Sequence, residues 1–332
     1  MSTTQPKPTR GARRIDLEEL CRLPSFYAPS LSWKGDRVAF YWDKSGRIEL
    51  YVMEIASREV RQVSHGEVPR ALKAEFVWSR DDRYIVFGKD QNGDEQDDLY
   101  RIEVDSGEVT QLTHDPKAVE YPIEFSPDDA WLTVVTNKSL PETPDQPGQL
   151  NLWKVRPDGS EQQPVTHSVF PALGGQWNKS GEWLSYVSND DPSDLKNSDV
   201  YIVRPDGSES KKVLSVKPGS QDGVIAWHPD GKQLAVGTDA YGTEQAGVLD
   251  LDSGDVRWLT AEGVEEQPAG FSESGRYLLV IRNHESQTQP VIYDLTIENI
   301  QRQQGRELKL PAGTCGAASF LRDDQHLLLS FS

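Results

Sequence analysis

The chain has 332 residues, with 35 Lys and Arg against 53 Asp and Glu, and carries a net charge of −18 at neutral pH. That excess of acid excludes nucleic acids and anionic membranes as partners, because phosphate binding rests on basic side chains that release counterions. A chain of this length buries about three quarters of its unfolded surface and needs no disulfides to hold a core. With only two cysteines, Cys21 and Cys315, and no apolar stretch long enough for a leader or a membrane span, it is expected in the cytoplasm.

Residues 1–24 are expected to form a polar tail, mobile to about residue 12, followed by a short helix. Apolar side chains at Ile15, Leu17, Leu20, Cys21 and Leu23 line one helical face, and Pro24 ends it. From residue 25 onward one phrase recurs seven times: an aromatic, two or three polar residues, an acidic or glycine turn, then a short apolar run. The aromatics are Trp33, Trp78, Phe125, Trp177, Trp227, Phe271 and Phe320, spaced 44 to 52 residues apart. That period holds four short strands and their turns, which predicts a β-propeller.

The second repeat sets the pattern, with strands expected at Lys73–Ser79, Tyr84–Gly88, Asp98–Val104 and Val109–Thr113. The turn Asp105-Ser106-Gly107 joins the last two, and similar turns stand at Pro157-Asp158-Gly159, Pro205-Asp206-Gly207 and Asp252-Ser253-Gly254. Runs such as Trp131-Leu-Thr-Val-Val and Tyr277-Leu-Leu-Val-Ile are continuously apolar, as expected of strands covered on both faces by neighbouring blades. The all-β expectation is a seven-bladed propeller over residues 25–332, with blades starting near 28, 73, 120, 172, 222, 266 and 315. The seventh is incomplete, two strands being cut short at Ser332, and the remaining two are expected from residues beyond it.

Chemistry is sparse in this pattern. A Gly-x-Ser-x-Gly nucleophile elbow is absent; the nearest approach, Gly270-Phe-Ser272-Glu-Ser274-Gly, belongs to a repeat anchor. Cys315 opens the last repeat and is read as a buried structural thiol. The acidic loop from Asp90 to Asp98 has its glycine fourth and Arg101 twelfth, which does not fit an EF-hand. His65, His114 and His167 follow the fourth strand in three successive repeats, and repetition explains them without a metal. No metal and no cofactor are expected. The remaining candidates are carboxylates in the loops that enter the inner strands, Glu120, Glu265 and Glu266, which at a channel mouth could hold the free amine of a peptide.

With the repeats laid out, the chain resembles the N-terminal propeller of the prolyl oligopeptidase family of serine peptidases, especially acylaminoacyl-peptidase and dipeptidyl-peptidase-like bacterial members. The resemblance runs from about Leu23 to Ser332, and its most specific stretch is Trp78-Ser-Arg-Asp-Asp-Arg-Tyr-Ile-Val-Phe-Gly-Lys-Asp-Gln-Asn-Gly-Asp-Glu. Phe125-Ser-Pro-Asp and Trp227-His-Pro-Asp-Gly are shared with TolB-like propellers; seven blades and a cytoplasmic start favour the peptidases over TolB, which is six-bladed and exported. The resemblance implies an α/β-hydrolase domain after residue 332 that carries the catalytic triad. This chain would then gate and select small peptides for that domain while holding no catalytic residue itself, and a homo-oligomer is among the partners implied. Glu265 and Glu266 resemble the acidic pair that grips a substrate amine in dipeptidyl peptidases, though without the helical insertion that carries it there. The alternative is a TolB-like propeller that binds a protein partner without catalysis; a propeller enzyme with an axial metal ranks behind both.

Overall fold

Among the described residues the strands come in antiparallel sheets, each strand pairing with the next inside its own sheet. The computed structural model describes residues 16–23, 25–70, 76–91, 93–146, 148–297, 305–311 and 313–332. Six four-stranded sheets form in sequence order. Blade 1 comprises Phe26–Leu31, Arg37–Trp42, Glu49–Glu54 and Val60–Gln62; blade 2 comprises Val77–Trp78, Tyr84–Asp90, Asp97–Glu103 and Val109–Gln111. Blade 3 comprises Glu120–Phe125, Leu132–Thr136, Asn151–Val155 and Gln162–Pro164; blade 4 comprises Leu173–Trp177, Leu184–Ser188, Asp199–Val203 and Lys211–Leu214. Blade 5 comprises Asp222–Trp227, Gln233–Thr238, Gln245–Asp250 and Val256–Trp258; blade 6 comprises Glu265–Phe271, Tyr277–His284, Gln287–Asp294 and Arg306–Glu307. Cys315–Phe320 and Leu327–Phe331 pair only with each other.

This corrects the seven-bladed expectation: the propeller has six blades, and the seventh repeat is a hairpin. Counting anchor aromatics assigned a blade to every copy of the phrase, whereas a blade needs partners on both faces. The buried apolar clusters show where those partners are. Alternate residues of each second strand point to opposite faces, so Ile85 and Phe87 join the cluster of blades 1 and 2 while Val86 joins that of blades 2 and 3. Further clusters join blades 3 and 4 through Val135 and Leu184, blades 4 and 5 through Val200 and Val236, and blades 5 and 6 through Ala235 and Val280. Among the described residues no such cluster joins blade 6 to the hairpin. The hairpin packs beside blade 6, where Phe320 stacks on Tyr277 with ring centres 6.2 Å apart and Thr288 Oγ1 donates to Cys315 O at 2.8 Å, and its tip joins blades 6 and 1: Asp324 accepts from Glu273 N–H at 2.7 Å, and Arg322 Nε donates to Trp33 O at 3.0 Å.

The helix is shorter than expected, Leu17–Cys21, and Leu17 and Leu23 are exposed. The expected tail, Ile15, and Lys73 to Glu75 of the expected inner strand of blade 2 lie outside the described residues.

A second correction concerns the first repeat. Each first strand ends on a residue that pairs with the start of the second: Trp78 with Ile85, Phe125 with Leu132, Trp177 with Leu184, Trp227 with Leu234, Phe271 with Leu278 and Phe320 with Leu327. In blade 1 the residue in that register is Leu31, opposite Val38. Trp33 lies two positions further on, in the turn, where blade 2 carries Arg80.

Those turns clasp neighbouring blades. Their fourth residue has positive φ and is Gly35, Asp82, Asp129, Gly181, Gly231, Gly275 or Asp324. Where it is aspartate, its carboxylate accepts two backbone N–H groups from the preceding turn. Asp82 takes Trp33 and Lys34 at 2.6 and 2.9 Å, Asp129 takes Arg80 and Asp81 at 2.7 and 3.0 Å, and Asp324 takes Glu273 and Ser274 at 2.7 and 3.1 Å. Before Gly181 and Gly275 the preceding turn has Pro127 or Pro229 at the first donor position, which has no N–H to offer. Glycine there simply takes the left-handed conformation without strain.

Candidate functional site

The first strands of successive blades contact one another and run in the same direction, so their ends gather at one end of the propeller axis and their beginnings at the other. At the gathered ends lies a cavity of about 530 Å³ lined from all six blades and the hairpin, blades 1 and 2 contributing only their turn residues Trp33 and Arg80. The second residue of every turn lines it: Trp33, Arg80, Pro127, Lys179, Pro229, Glu273 and Arg322. The wall below them is aromatic, with Trp177, Trp227, Phe271 and Phe320.

One further apolar group enters through a backbone irregularity. In blade 5 Val224 pairs with Val236 and Ala226 with Ala235, which leaves Ile225 as the extra residue of a bulge. A bulge re-aims the side chain it carries. Ile225 accordingly stands 46 % exposed on the cavity wall, where a regular strand would have turned it into a blade interface.

The charges are arranged around Trp33. The Arg80 guanidinium lies 3.5 Å from the centre of its ring and donates to Glu124 at 2.9 Å and to Phe125 O at 2.8 Å. Arg322 lies 5.0 Å from the same ring and donates to Glu273 at 2.7 Å, and Lys179 approaches Glu273 at 3.8 Å. Glu124 also accepts Trp177 N–H at 2.8 Å. Burial lowers the Arg80 pKa although Glu124 and Asp129 oppose it, and burial raises that of Glu124 against the pull of Arg80. Three cations thus meet two carboxylates in a protein of strongly negative net charge.

The cavity is arranged for binding. His228 engages both ring nitrogens, with Gly275 O at 3.0 Å and Asp230 at 2.9 Å, and the buried Ser272 hydroxyl accepts Tyr277 N–H at 3.2 Å within its turn. Neither hydroxyl nor imidazole is presented as a nucleophile and base pair.

The carboxylates expected from sequence stand at the other end of the first strands, roughly 15 Å from the aromatic cavity at the rise of an extended strand. Glu120 begins blade 3's first strand; it is buried, 2.5 Å from Lys138 Nζ, and accepts from the Thr113 hydroxyl. Glu266, in blade 6, is fully buried and bound by Arg282 at 2.6 Å and the Tyr293 hydroxyl at 2.8 Å. Glu265 is half-buried beside Glu244, whose carboxyl its charge helps to raise after burial. The structure therefore separates Glu120 from the other two by two blades and matches both buried acids with a cation.

The periodic histidines have a local explanation. The Ser or Thr before each one, Ser64, Thr113 or Thr166, accepts a third-strand N–H from Leu50, Leu99 or Leu152 at 2.8 to 2.9 Å, fastening the end of the blade. His65 and His114 are exposed beside them, and His167 lies 3.5 Å from Glu142. Among the described residues no three His, Cys, Asp or Glu side chains gather closely enough to hold a metal ion. Cys315 is buried, which raises its pKa. Asn92 of the acidic loop lies outside the described residues, and Asp98 is buried where it accepts Asp115 N–H at 2.9 Å. Among the described residues no helix is long and apolar enough to cross a membrane.

Sequence reasoning missed Arg80, Glu124, Lys179, Ile225, Glu273 and Arg322. The signal was the second turn position, which lines up only when Ser32, rather than the residue after Trp33, is aligned with Ser79.

No family model matches the chain. It is 28 % identical over 188 residues to an uncharacterised protein of Agrobacterium fabrum, covering 52 % of this chain and 58 % of that one. It is 28 % identical over 205 residues to a TolB homologue of Chlorobium luteolum, covering 60 % of this chain and 42 % of that one. A dipeptidyl-peptidase 5 of Porphyromonas endodontalis matches at 28 % over 108 residues, covering 32 % of this chain and 14 % of that one. The matches thus span less than two thirds of each relative's own length. Among solved structures, one from a study of two prolyl endopeptidases superposes with a TM-score of 0.66 at 16 % identity over 90 % of this chain and 45 % of that chain. An oligogalacturonate lyase in complex with manganese gives 0.67 at 14 %, over 92 % and 86 %. A TolB of Agrobacterium tumefaciens gives 0.53 at 18 %, over 71 % and 80 %. The propeller fold is shared with prolyl oligopeptidase propellers and with TolB. With six blades in this chain, the blade count no longer favours the peptidases over TolB.

Proposed function

We propose that this chain is the substrate-selecting propeller of a serine peptidase, admitting small peptides to a hydrolase domain of the same polypeptide through its axial cavity. The observation that carries the reading is the cavity itself: an opening on the axis, aromatic within and charged at its rim, built by the turns of the blades and the hairpin. Peptides suit such a lining, since apolar side chains find aromatic walls and the charged or amide groups find rim partners. A superposition that covers 90 % of this chain but 45 % of a prolyl endopeptidase structure supports the division of labour, the remainder of that chain being outside the likeness.

A second reading, a TolB-like propeller that binds a protein partner, is favoured by the TolB homologue's match, which covers 60 % of this chain against 32 % for the dipeptidyl peptidase. The product of the complete reading frame, treated with a fluorophosphonate probe and a panel of aminoacyl p-nitroanilides, tests the first. Labelling of a serine outside residues 16–332, with cleavage, is expected; no labelling and no cleavage leaves the interaction propeller as the better account.

A further inference from the structure

We propose that the axial cavity recognises a free carboxylate on its ligand, held by Arg322 and Lys179 at the rim with Arg80 behind them, next to an apolar side chain that packs on Ile225 and Trp33. This rests on the reading of the cavity as a peptide site and specifies which end of the peptide it holds.

Charge and geometry support it together. Among the lining side chains, the cations Arg80, Lys179 and Arg322 outnumber the carboxylates Glu124 and Glu273 by one, in a molecule whose net charge is −18. Arg322 makes one hydrogen bond to Glu273 and one to Trp33 O, which commits Nη1 and Nε and leaves Nη2 without a described acceptor. Lys179 shares the same Glu273 at 3.8 Å, beyond hydrogen-bond distance, and its side chain is 67 % exposed. One carboxylate therefore serves two rim cations, and a second carboxylate from a ligand would complete both. Arg80 is more deeply committed, to Glu124 and Phe125 O, and acts through its positive charge. Ile225 and Trp33 both line the cavity and supply its apolar surface, Ile225 standing 46 % exposed. The opposite axial end is unlike it, since its buried acids Glu120 and Glu266 are already matched by Lys138 and Arg282.

The test is fluorescence anisotropy with a labelled Ala-Ala-Leu peptide as the free acid and as the C-terminal amide, with N-acetyl-leucine as a small competitor. The free acid is expected to bind at least tenfold more tightly than the amide, and Arg322→Gln and Lys179→Gln each to weaken the acid severalfold while leaving the amide unchanged. Glu273→Gln, which releases both cations, is expected to tighten the acid, a gain that misfolding cannot mimic. Equal binding of acid and amide overturns the carboxylate inference and leaves the peptide reading standing. Binding of N-acetyl-leucine without binding of the peptides keeps the carboxylate site and removes the peptide reading. Absence of binding by all three overturns both.

Discussion

Replacing Asp82 tests the clasp that joins successive turns. Its carboxylate is 1 % exposed as a residue and accepts two N–H groups of blade 1, so Asp82→Ala removes both bonds and leaves an alanine at a φ of 61°. Hydrogen bonds to a charged group contribute about 1.5 to 3 kcal/mol each. The left-handed conformation costs an L-residue about 1 to 2 kcal/mol in both proteins and cancels to first order. A loss of about 3 to 6 kcal/mol follows for Asp82→Ala, and Asp82→Gly, which relieves the backbone, should lose about 1 to 2 kcal/mol less. Urea unfolding followed by Trp fluorescence measures both. Two glycine positions supply a control of opposite sign. Gly231→Asp faces the N–H groups of Lys179 and Ser180 and should offset its strain, whereas Gly181→Asp faces Pro127, which has no N–H, and should destabilise by about 1 to 2 kcal/mol. The reasoning is refuted if Asp82→Ala costs under about 0.5 kcal/mol, the range of an ordinary surface change, or if the two aspartates behave alike.

Arg282→Met should destabilise by about 3 to 5 kcal/mol because it leaves the Glu266 carboxylate buried without its cation; thermal unfolding should show that the double change with Glu266→Gln recovers part of the loss. Asp294 is held down to about 2 by hydrogen bonds from Arg276 and Thr296. A depressed carboxyl stabilises the fold above its unfolded value near 4 and loses that contribution as pH falls toward 2. Denaturation midpoints from pH 5 to pH 2 should therefore fall less steeply in Asp294→Asn. Glu124 is shifted the other way by burial, so its contribution is fully present below its unfolded value and is lost as pH rises through the folded one. Glu124→Gln should flatten the stability profile on that side, read by denaturation midpoints from pH 4 upward.

The strands were legible because their signals are local. Short β-branched and aromatic runs, bounded by Asp-Ser-Gly and Pro-Asp-Gly turns, located the second, third and fourth strands of blade 2, and second strands such as Leu132–Thr136 and Tyr277–His284, to within a few residues. The blade count was not legible in the same way, since a repeat phrase marks the start of a sheet and says nothing about whether third and fourth strands follow. Trp33 misled for a related reason: an aromatic in the right neighbourhood outweighed the register, and only the pairing of Leu31 with Val38 shows that it belongs to the turn. The cavity was the least legible part. Arg80, Lys179, Glu273 and Arg322 are unremarkable charged residues in separate repeats, and the ring brings them together across more than 240 positions of sequence. Ile225 reads as an ordinary inward strand residue until the bulge re-aims it. Glu120 and Glu266 stood out as loop acids because their partners, Lys138, Arg282 and Tyr293, lie on neighbouring strands that the loop sequence does not reveal.

The most direct measurement is photo-crosslinking from the cavity wall, with a benzophenone amino acid in place of Ile225 in the full-length protein. The account predicts that short peptides are captured there, that free peptide competes, and that large folded proteins are not captured. Capture of a folded protein partner in place of peptides would contradict it and assign the axial mouth to the interaction-propeller reading.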